Sequence, residues 1–121
     1  MKFLSMVRIN ENSGAVITDK LMNDMGKLME ELTREGKLLN TAGLRPTSEG
    51  VRLRLRGGKV SAMDGPFTET KEVIGGYAML EVGSKAEAIE IAERFLLVHG
   101  SEWNIECEVR QLDGPEFACK N

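Results

Sequence analysis

The stretch VRLRLRGGKVSAM, residues 51–63, predicts a β-hairpin, and the rest of the chain is arranged symmetrically about it. Arginines alternate here with three apolar residues, Val51, Leu53 and Leu55. This period of two predicts a strand with one buried and one solvated face. The paired glycines at 57–58 accept the positive φ that a tight hairpin turn needs, so residues 60–63 form the return strand. We therefore expect a half-buried hairpin near the middle of the chain.

The segment before the hairpin has the pattern of a strand, a helix and a second strand. Residues 2–9 alternate as a strand, and residues 38–44 form the next one. Between them, Thr18 or Asp19 is suited to cap a helix with an apolar stripe, and Gly36 stands where that helix would end.

The segment after the hairpin repeats this order. Residues 73–82 and 105–110 have strand patterns, and Ser84 with Glu87 has the spacing of a capping box that opens a helix between them. Two β-α-β units with an inserted hairpin predict a single α+β domain over residues 1–121. Its expected architecture is a ferredoxin-like antiparallel sheet with two helices on one face.

The other face of the predicted sheet carries apolar residues as well. Strict alternation along residues 73–82 turns Ile74 towards the helices and Val73 away from them. Four further apolar residues are expected on this outer face: Leu4, Met6, Tyr77 and Met79. Because monomers seldom expose such a patch, we expect a homodimer that packs through the sheet face. The alternative is that the tail of residues 113–121 covers it.

The composition excludes several classes of protein. The 121 residues include 29% charged residues of both signs and have a net charge of −3, without the concentrated basic face that nucleic acid requires. No apolar run reaches about 18 residues, the length of a membrane span. We therefore expect a cytoplasmic protein with no nucleic-acid partner and no membrane contact.

Metal and cofactor sites would have few ligands in this sequence. His99 is the single histidine, and the two cysteines, Cys107 and Cys119, form no C-x-x-C pair. We expect both cysteines to be free thiols and no metal to be bound. The chain also has neither of the glycine-rich loops that hold nucleotides, so no organic cofactor is expected.

Asp64 is the candidate catalytic residue. It follows a strand and is held by Gly65 and Pro66, so its carboxylate is suited to act as a general base or to anchor a polar ligand. The alternative is a purely structural turn, in which an aspartate bonds the backbone two residues on. Phe67 is expected to pack inward and to fix the loop beside a pocket for an unidentified small molecule.

Charged residues near Asp64 complete the candidate ligand-binding set. Glu69 and Lys71 follow on a predicted loop and are candidates to line the same cleft; the alternative is a solvated charged loop. Arg54 stands in a row with Arg52 and Arg56, and guanidinium groups bind carboxylate or phosphate with two hydrogen bonds. The alternative for this row is protection of an edge strand by charge.

Other conspicuous residues have simpler explanations. His99 lies at the end of a helix, where its cationic form suits the helix dipole, and we favour that role over catalysis. Trp103 and Tyr77 are assigned to packing by default. Methionines such as Met22, Met25 and Met29 are expected to fill the core.

The segment 64–77 reads DGPF, TETKE, V and IGGY, and in it the sequence resembles the DGPF or YCII-related proteins. The resemblance implies a dimeric α-β barrel fold and little about chemistry. Relatives in the wider YCII group look like enzymes with a His–Asp pair, whereas this chain has no histidine in its first half. Some DGPF-type relatives are encoded beside extracytoplasmic-function sigma factors, which implies a regulatory context.

Two functions from different classes therefore remain open. One is a small ligand-binding or substrate-transforming dimer with a cleft near Asp64. The other is a non-enzymatic accessory or regulatory dimer, for which sigma-factor signalling is one setting.

Overall fold

The computed structural model describes residues 1–67 and 72–114, so the candidates Glu69 and Lys71, and Cys119 with the end of the tail, lie outside the described residues. The strands are β1 (Lys2–Ile9), β2 (Leu38–Gly43), β3 (Val51–Arg56), β4 (Lys59–Asp64), β5 (Val73–Glu81) and β6 (Glu106–Gln111). The helices are α1 (Asp19–Arg34) and α2 (Lys85–Val98), with a short 3₁₀ turn at Thr47–Glu49.

Four strands form an antiparallel sheet in the order β2-β5-β1-β6, and both helices pack on one face of it. The core lies between these two layers. Its most buried members include Phe3, Leu32, Leu80, Ala88 and Phe95. The predicted α+β, ferredoxin-like architecture is confirmed.

The predicted helix caps are present. The Thr18 hydroxyl accepts a hydrogen bond from the Leu21 N–H at 3.1 Å, and the Ser84 hydroxyl accepts one from the Glu87 N–H at 3.1 Å. Each satisfies an N–H group that the first helical turn leaves without a partner. Gly36 follows α1 with a φ of 74°, the left-handed conformation that favours glycine at this position.

A register shift in the sheet corrects the predicted orientation of β5. Met6 lies opposite Tyr77 and Val7 opposite Gly76, but after a bulge Arg8 lies opposite Ile74. Directly opposed residues point to the same face, so Ile74 lies with Arg8 on the outer face and not towards the helices as expected. The extra residue of the bulge is Gly75.

The hairpin of β3 and β4 forms a separate two-stranded sheet. Its turn residues, Gly57 and Gly58, have φ values of 56° and 78°, as the paired-glycine turn predicted. The expectation that β3 is half-buried is wrong. Leu53 and Leu55 are 66% and 69% exposed, because the hairpin forms its own two-stranded sheet and does not join the four-stranded one.

Candidate functional site

The helix-facing side of the sheet and α1 line a partly open cavity of about 530 Å³, which we call the inner cavity. Three strands contribute residues to its lining: Ser5, Val7, Ile9, Thr41, Gly43, Gly75, Gly76 and Ala78. Ala42 and Tyr77 border it through their backbone, since the strand register turns their side chains to the outer face. The remaining lining residues belong to the helices and their flanks: Ile17, Leu21, Met22, Met25, Met29, Phe95, His99 and Trp103. Most of these side chains are apolar, and the volume is typical of small-molecule sites.

Small residues on the strands leave room for the inner cavity. A Cβ atom on Gly75 would lie 2.8 Å from Cδ1 of Ile9, so no larger residue fits without moving Ile9. Opposite the glycines, α1 presents Met25 and Met29, whose flexible thioether chains adapt to the shape of a ligand. Met22, which was expected in the core, is instead 63% exposed at this cavity.

Polar groups around the inner cavity are held in place by hydrogen bonds. The buried Ser5 hydroxyl lies 2.9 Å from the thiol of Cys107, and the Thr41 hydroxyl donates to the Tyr77 carbonyl at 2.8 Å. His99 Nδ1 lies 2.8 Å from the carbonyl oxygen of Phe95. A carbonyl only accepts, so Nδ1 is the donor of this hydrogen bond.

His99 also contacts Trp103, another lining residue. The two ring centres are 5.3 Å apart and the ring planes meet at 66°, an edge-to-face arrangement. Aromatic pairs favour this geometry, so Trp103 supports the orientation of the imidazole at the end of α2. The position predicted for His99 at the end of a helix is therefore compatible with a place in the cavity wall.

A second concavity of about 710 Å³, the outer groove, lies on the opposite face of the sheet. Its lining includes four arginines: Arg8, Arg45, Arg52 and Arg110. Arg45 and Arg110 form ion pairs with Glu49 at 2.8 Å and Glu108 at 3.9 Å. The groove is therefore a mixed-charge surface.

Phe67 and Thr47 form one wall of the outer groove. The Thr47 N–H donates to the Glu11 carboxylate at 2.8 Å, and the Thr47 hydroxyl donates to the same carboxylate. The Thr47 oxygen also accepts a hydrogen bond from the Phe67 N–H at 3.3 Å. These bonds to Thr47 lower the pKa of Glu11, because they favour its ionised form.

The structure places Asp64 at the exposed end of β4, opposite Val51. It lies in the lining of neither concavity. The nearby N–H donors bind elsewhere: Gly65 donates to the Gly50 carbonyl at 2.9 Å, and Phe67 donates to Thr47. Within residues 1–67 and 72–114, no hydrogen bond or ion pair engages the Asp64 carboxylate.

The other predicted ligand-binding residues are separated. Arg54 is exposed in the middle of β3, opposite Ser61, whereas Phe67 is half-buried in the outer groove. The arginine that meets Phe67 is Arg52, two residues earlier on the same face of the hairpin. Sequence reasoning missed the inner cavity; the glycine pair at 75–76 in a strand was its one visible signal.

Two further properties concern the described residues only. They contain no group of three or more histidine, cysteine, aspartate or glutamate side chains placed to hold a metal ion. Neither α1 nor α2 has the length and apolar character that crossing a membrane requires.

Comparison with known proteins identifies the family. The model of the YCII-related domain matches residues 1–104. An uncharacterized protein of Rhizobium meliloti (strain 1021) is 35% identical over 74 residues, which make up 61% of this chain. The match spans 60% of the length of that relative. The family match covers both helices and most of the four-stranded sheet. The chain belongs to the YCII-related family.

Proposed function

We propose that the protein binds a small, largely apolar organic molecule in the inner cavity. The observation that carries this proposal is the cavity itself, about 530 Å³ of partly open space lined mainly by apolar side chains between the sheet and α1. Burial of an apolar ligand there is favourable because it removes apolar surface of both the ligand and the cavity wall from water. The methionines of α1 allow the wall to adjust to ligands of different shape.

The polar groups of the cavity narrow the class of ligand. The lining includes the imidazole ring of His99 and the hydroxyl groups of Ser5 and Thr41. A ligand with an apolar or aromatic body and one hydroxyl, amine or carbonyl group matches this arrangement. A charged ligand does not, because no Lys, Arg, Asp or Glu lies in the lining.

Ligand binding without a reaction suits these groups better than turnover. The Ser5 hydroxyl meets a thiol, and His99 meets a backbone carbonyl, so neither described contact joins a nucleophile to a general base. An accessory or regulatory dimer that senses a small molecule is therefore the form of the proposal that we favour. We place it in the cytoplasm, where Cys107 stays a free thiol.

Fluorescence of Trp103 tests the proposal directly, since it is the only tryptophan of the chain and lines the cavity. The probe is N-phenyl-1-naphthylamine, an uncharged aromatic dye that accepts energy from tryptophan at short range. We expect saturable energy transfer in the wild type. Gly43→Phe should weaken it by about tenfold or more, because the new ring occupies the cavity.

The matched control is Leu39→Phe, which adds a phenyl ring on the same strand at an exposed position outside the cavity lining. It should leave the dye affinity unchanged. A Gly43→Phe variant that binds the dye as well as the wild type would contradict the proposal. So would an equal loss of binding in both variants.

The polar cleft predicted at Asp64 is a second candidate site. Its support is that the local turn leaves the Asp64 carboxylate unused. The N–H groups of Gly65 and Phe67 donate to other acceptors, and Pro66 has none, so a local backbone turn does not use this carboxylate. We propose that Asp64 acts there as an anchor or general base, with Arg54, Phe67, Glu69 and Lys71 as ligand-binding residues.

Replacement of Asp64 by Asn separates this role from a structural one. The free energy of unfolding should change by no more than about 0.5 kcal/mol, as at other exposed positions. The amide signals of Gly65 and Phe67 should respond to added methylammonium in the wild type and not in the variant. A loss of stability above that range, without a change in the response, would identify a turn former.

We also propose that the protein is a homodimer that packs through the outer face of the sheet. Leu4 lies opposite Met79, and Met6 opposite Tyr77, so all four side chains share this face. Each is only half-buried within the described chain. A second copy would cover them and remove a patch that monomers seldom expose.

A further inference from the structure

Two hydroxyl side chains stand side by side in the sheet wall of the inner cavity. Ser5 on β1 and Thr41 on β2 both lie directly opposite Ala78, the residue of β5 between them. Directly opposed residues point to the same face, so these three side chains form one row across the sheet. All three line the cavity, and Ala78 adds only a methyl group between the two hydroxyls. We call these three residues the polar row.

The polar row lies at the closed end of the inner cavity. Ser5 is 2% exposed and Ala78 is 5% exposed, whereas two other lining residues, Ile17 and Met22, are 64% and 63% exposed. The cavity is therefore open to water near the start of α1 and closed at the polar row. A ligand that enters from the open side reaches the two hydroxyl groups with the end that goes in first.

The hydrogen of the Thr41 hydroxyl is already in use. This hydroxyl donates to the Tyr77 carbonyl oxygen at 2.8 Å. A hydroxyl group has one hydrogen to donate and two lone pairs that accept. Towards a ligand, Thr41 therefore offers an acceptor and no donor.

Ser5 keeps an acceptor lone pair whichever way its own hydrogen bond runs. Its oxygen lies 2.9 Å from the Cys107 sulfur, and either atom is able to donate. If the thiol donates, the serine oxygen retains one lone pair and its own O–H; if the serine donates, it retains both lone pairs. The ligand group that suits both arrangements is a hydrogen-bond donor.

The chemistry of the lining narrows the class of donor further. No Lys, Arg, Asp or Glu lines the cavity, so a charged donor such as an ammonium group would lose its hydration without a counter-ion. A ketone or an ether has acceptors only and finds no free hydrogen at Thr41. His99 and Trp103 also line the cavity, but they follow α2 and do not belong to the polar row. The uncharged hydroxyl of an alcohol or a phenol fits best.

We propose that the inner cavity selects alcohols or phenols over ketones and ethers, and that Ser5 and Thr41 determine this specificity. The hydroxyl group of the ligand lies at the polar row and donates there, and its apolar body extends along the methionines of α1 towards the open side. This inference rests on the function proposed above, the binding of a small, largely apolar molecule. It adds which polar group the ligand carries and which end enters first.

The test compares 2-nonanol with 2-nonanone, which share one carbon skeleton and differ in whether the oxygen is able to donate. Their dissociation constants are measured by displacement of N-phenyl-1-naphthylamine in a fluorescence titration. The wild type should bind the alcohol about fivefold or more tightly than the ketone. The double variant Ser5→Ala with Thr41→Val removes both acceptors and should bind the two compounds about equally. The wild-type ratio needs no variant, so it tests the inference even if the double variant fails to fold.

Two matched controls accompany the double variant. Thr41→Ser keeps the hydroxyl and should keep the preference for the alcohol. Ser61→Ala makes the same change as Ser5→Ala at an exposed position of β4 outside the lining, and it should have no effect.

The outcomes separate this inference from the proposed function. Equal affinities in the wild type, tighter binding of the ketone, or a preference that the double variant retains would overturn the specificity while binding in the cavity stands. If the wild type binds neither the dye nor the two compounds, the proposed function fails and the inference fails with it.

Discussion

The guanidinium carbon of Arg52 lies 4.1 Å from the centre of the Phe67 ring. This distance is within the range of cation–π attraction. The contact joins the start of β3 to the segment that follows Asp64. Phe67 is therefore positioned from two sides, by Arg52 over its ring and by the hydrogen bond from its N–H to Thr47.

The Arg52–Phe67 contact predicts a measurable coupling. In a double-mutant cycle of Arg52→Gln and Phe67→Leu, urea unfolding should give a coupling free energy of about 0.5–1 kcal/mol. The cycle cancels other contacts of the arginine. Arg54→Gln with Phe67→Leu is the control pair, and its effects should be additive. Additivity in both pairs would show that the ring and guanidinium contribute independently.

Gly65 and Gly26 predict opposite effects of the same substitution. A Cβ atom on Gly65 would overlap the carbonyl oxygen of Thr47, so Gly65→Ala should lower the free energy of unfolding by about 2 kcal/mol or more. A Cβ on Gly26, within α1, meets nothing within 4 Å. Gly26→Ala should raise stability by about 0.5–1 kcal/mol, since alanine favours the helix. Equal effects of the two changes in urea unfolding would refute this view of the turn.

Glu11 predicts a pH dependence of stability. The hydrogen bonds from Thr47 hold the pKa of this carboxyl group below its ordinary value of 4.5 in the folded chain. A depressed carboxyl pKa contributes stability that is present above the unfolded pKa and is lost as pH falls through the folded one. The melting temperature of the wild type should therefore fall more steeply below about pH 4.5 than that of Glu11→Gln. Parallel curves for the two proteins would contradict the prediction.

If the dimer packs through the sheet face, a charge added to that face should weaken the dimer, and a charge added elsewhere should not. Met79→Lys places a cation on the outer face, opposite Leu4, and should shift the dimer towards monomer in light scattering at micromolar concentration. Ile89→Lys makes a comparable change on the exposed surface of α2 and should have no effect. A wild-type monomer under these conditions, or equal dimers in both variants, would argue against the interface.

Local features of the chain were predictable because their causes lie within a few residues. Thr18 and Ser84 cap helices because each side chain bonds an N–H three residues later. Gly57 and Gly58 turn the hairpin because they accept positive φ. The alternation of β3 also predicted the right strand. It could not predict whether another element covers the apolar face of β3. The side chains of that face are exposed and not half-buried.

The orientation of β5 shows why a periodic pattern has a limit. Counting by two turned Ile74 towards the helices, but the bulge at Gly75 reverses every residue before it. The bulge depends on the partner strand. The side chain of Ile9 on β1 leaves no space for a side chain at Gly75. Nothing within residues 73–82 alone specifies that contact.

The sequence by itself determined the order of strands and helices, their caps and turns, and the family resemblance carried by residues 64–77. Only the tertiary structure decided the inner cavity and the exposure of the β3–β4 hairpin. It also decided the hydrogen bonds by which Thr47 links Glu11, 36 residues away, to Phe67, 20 residues away. The physical reason is the range of the interactions. Propensities and caps act between near neighbours, whereas cavities, exposed faces and long-range hydrogen bonds depend on which distant segments meet when the chain packs.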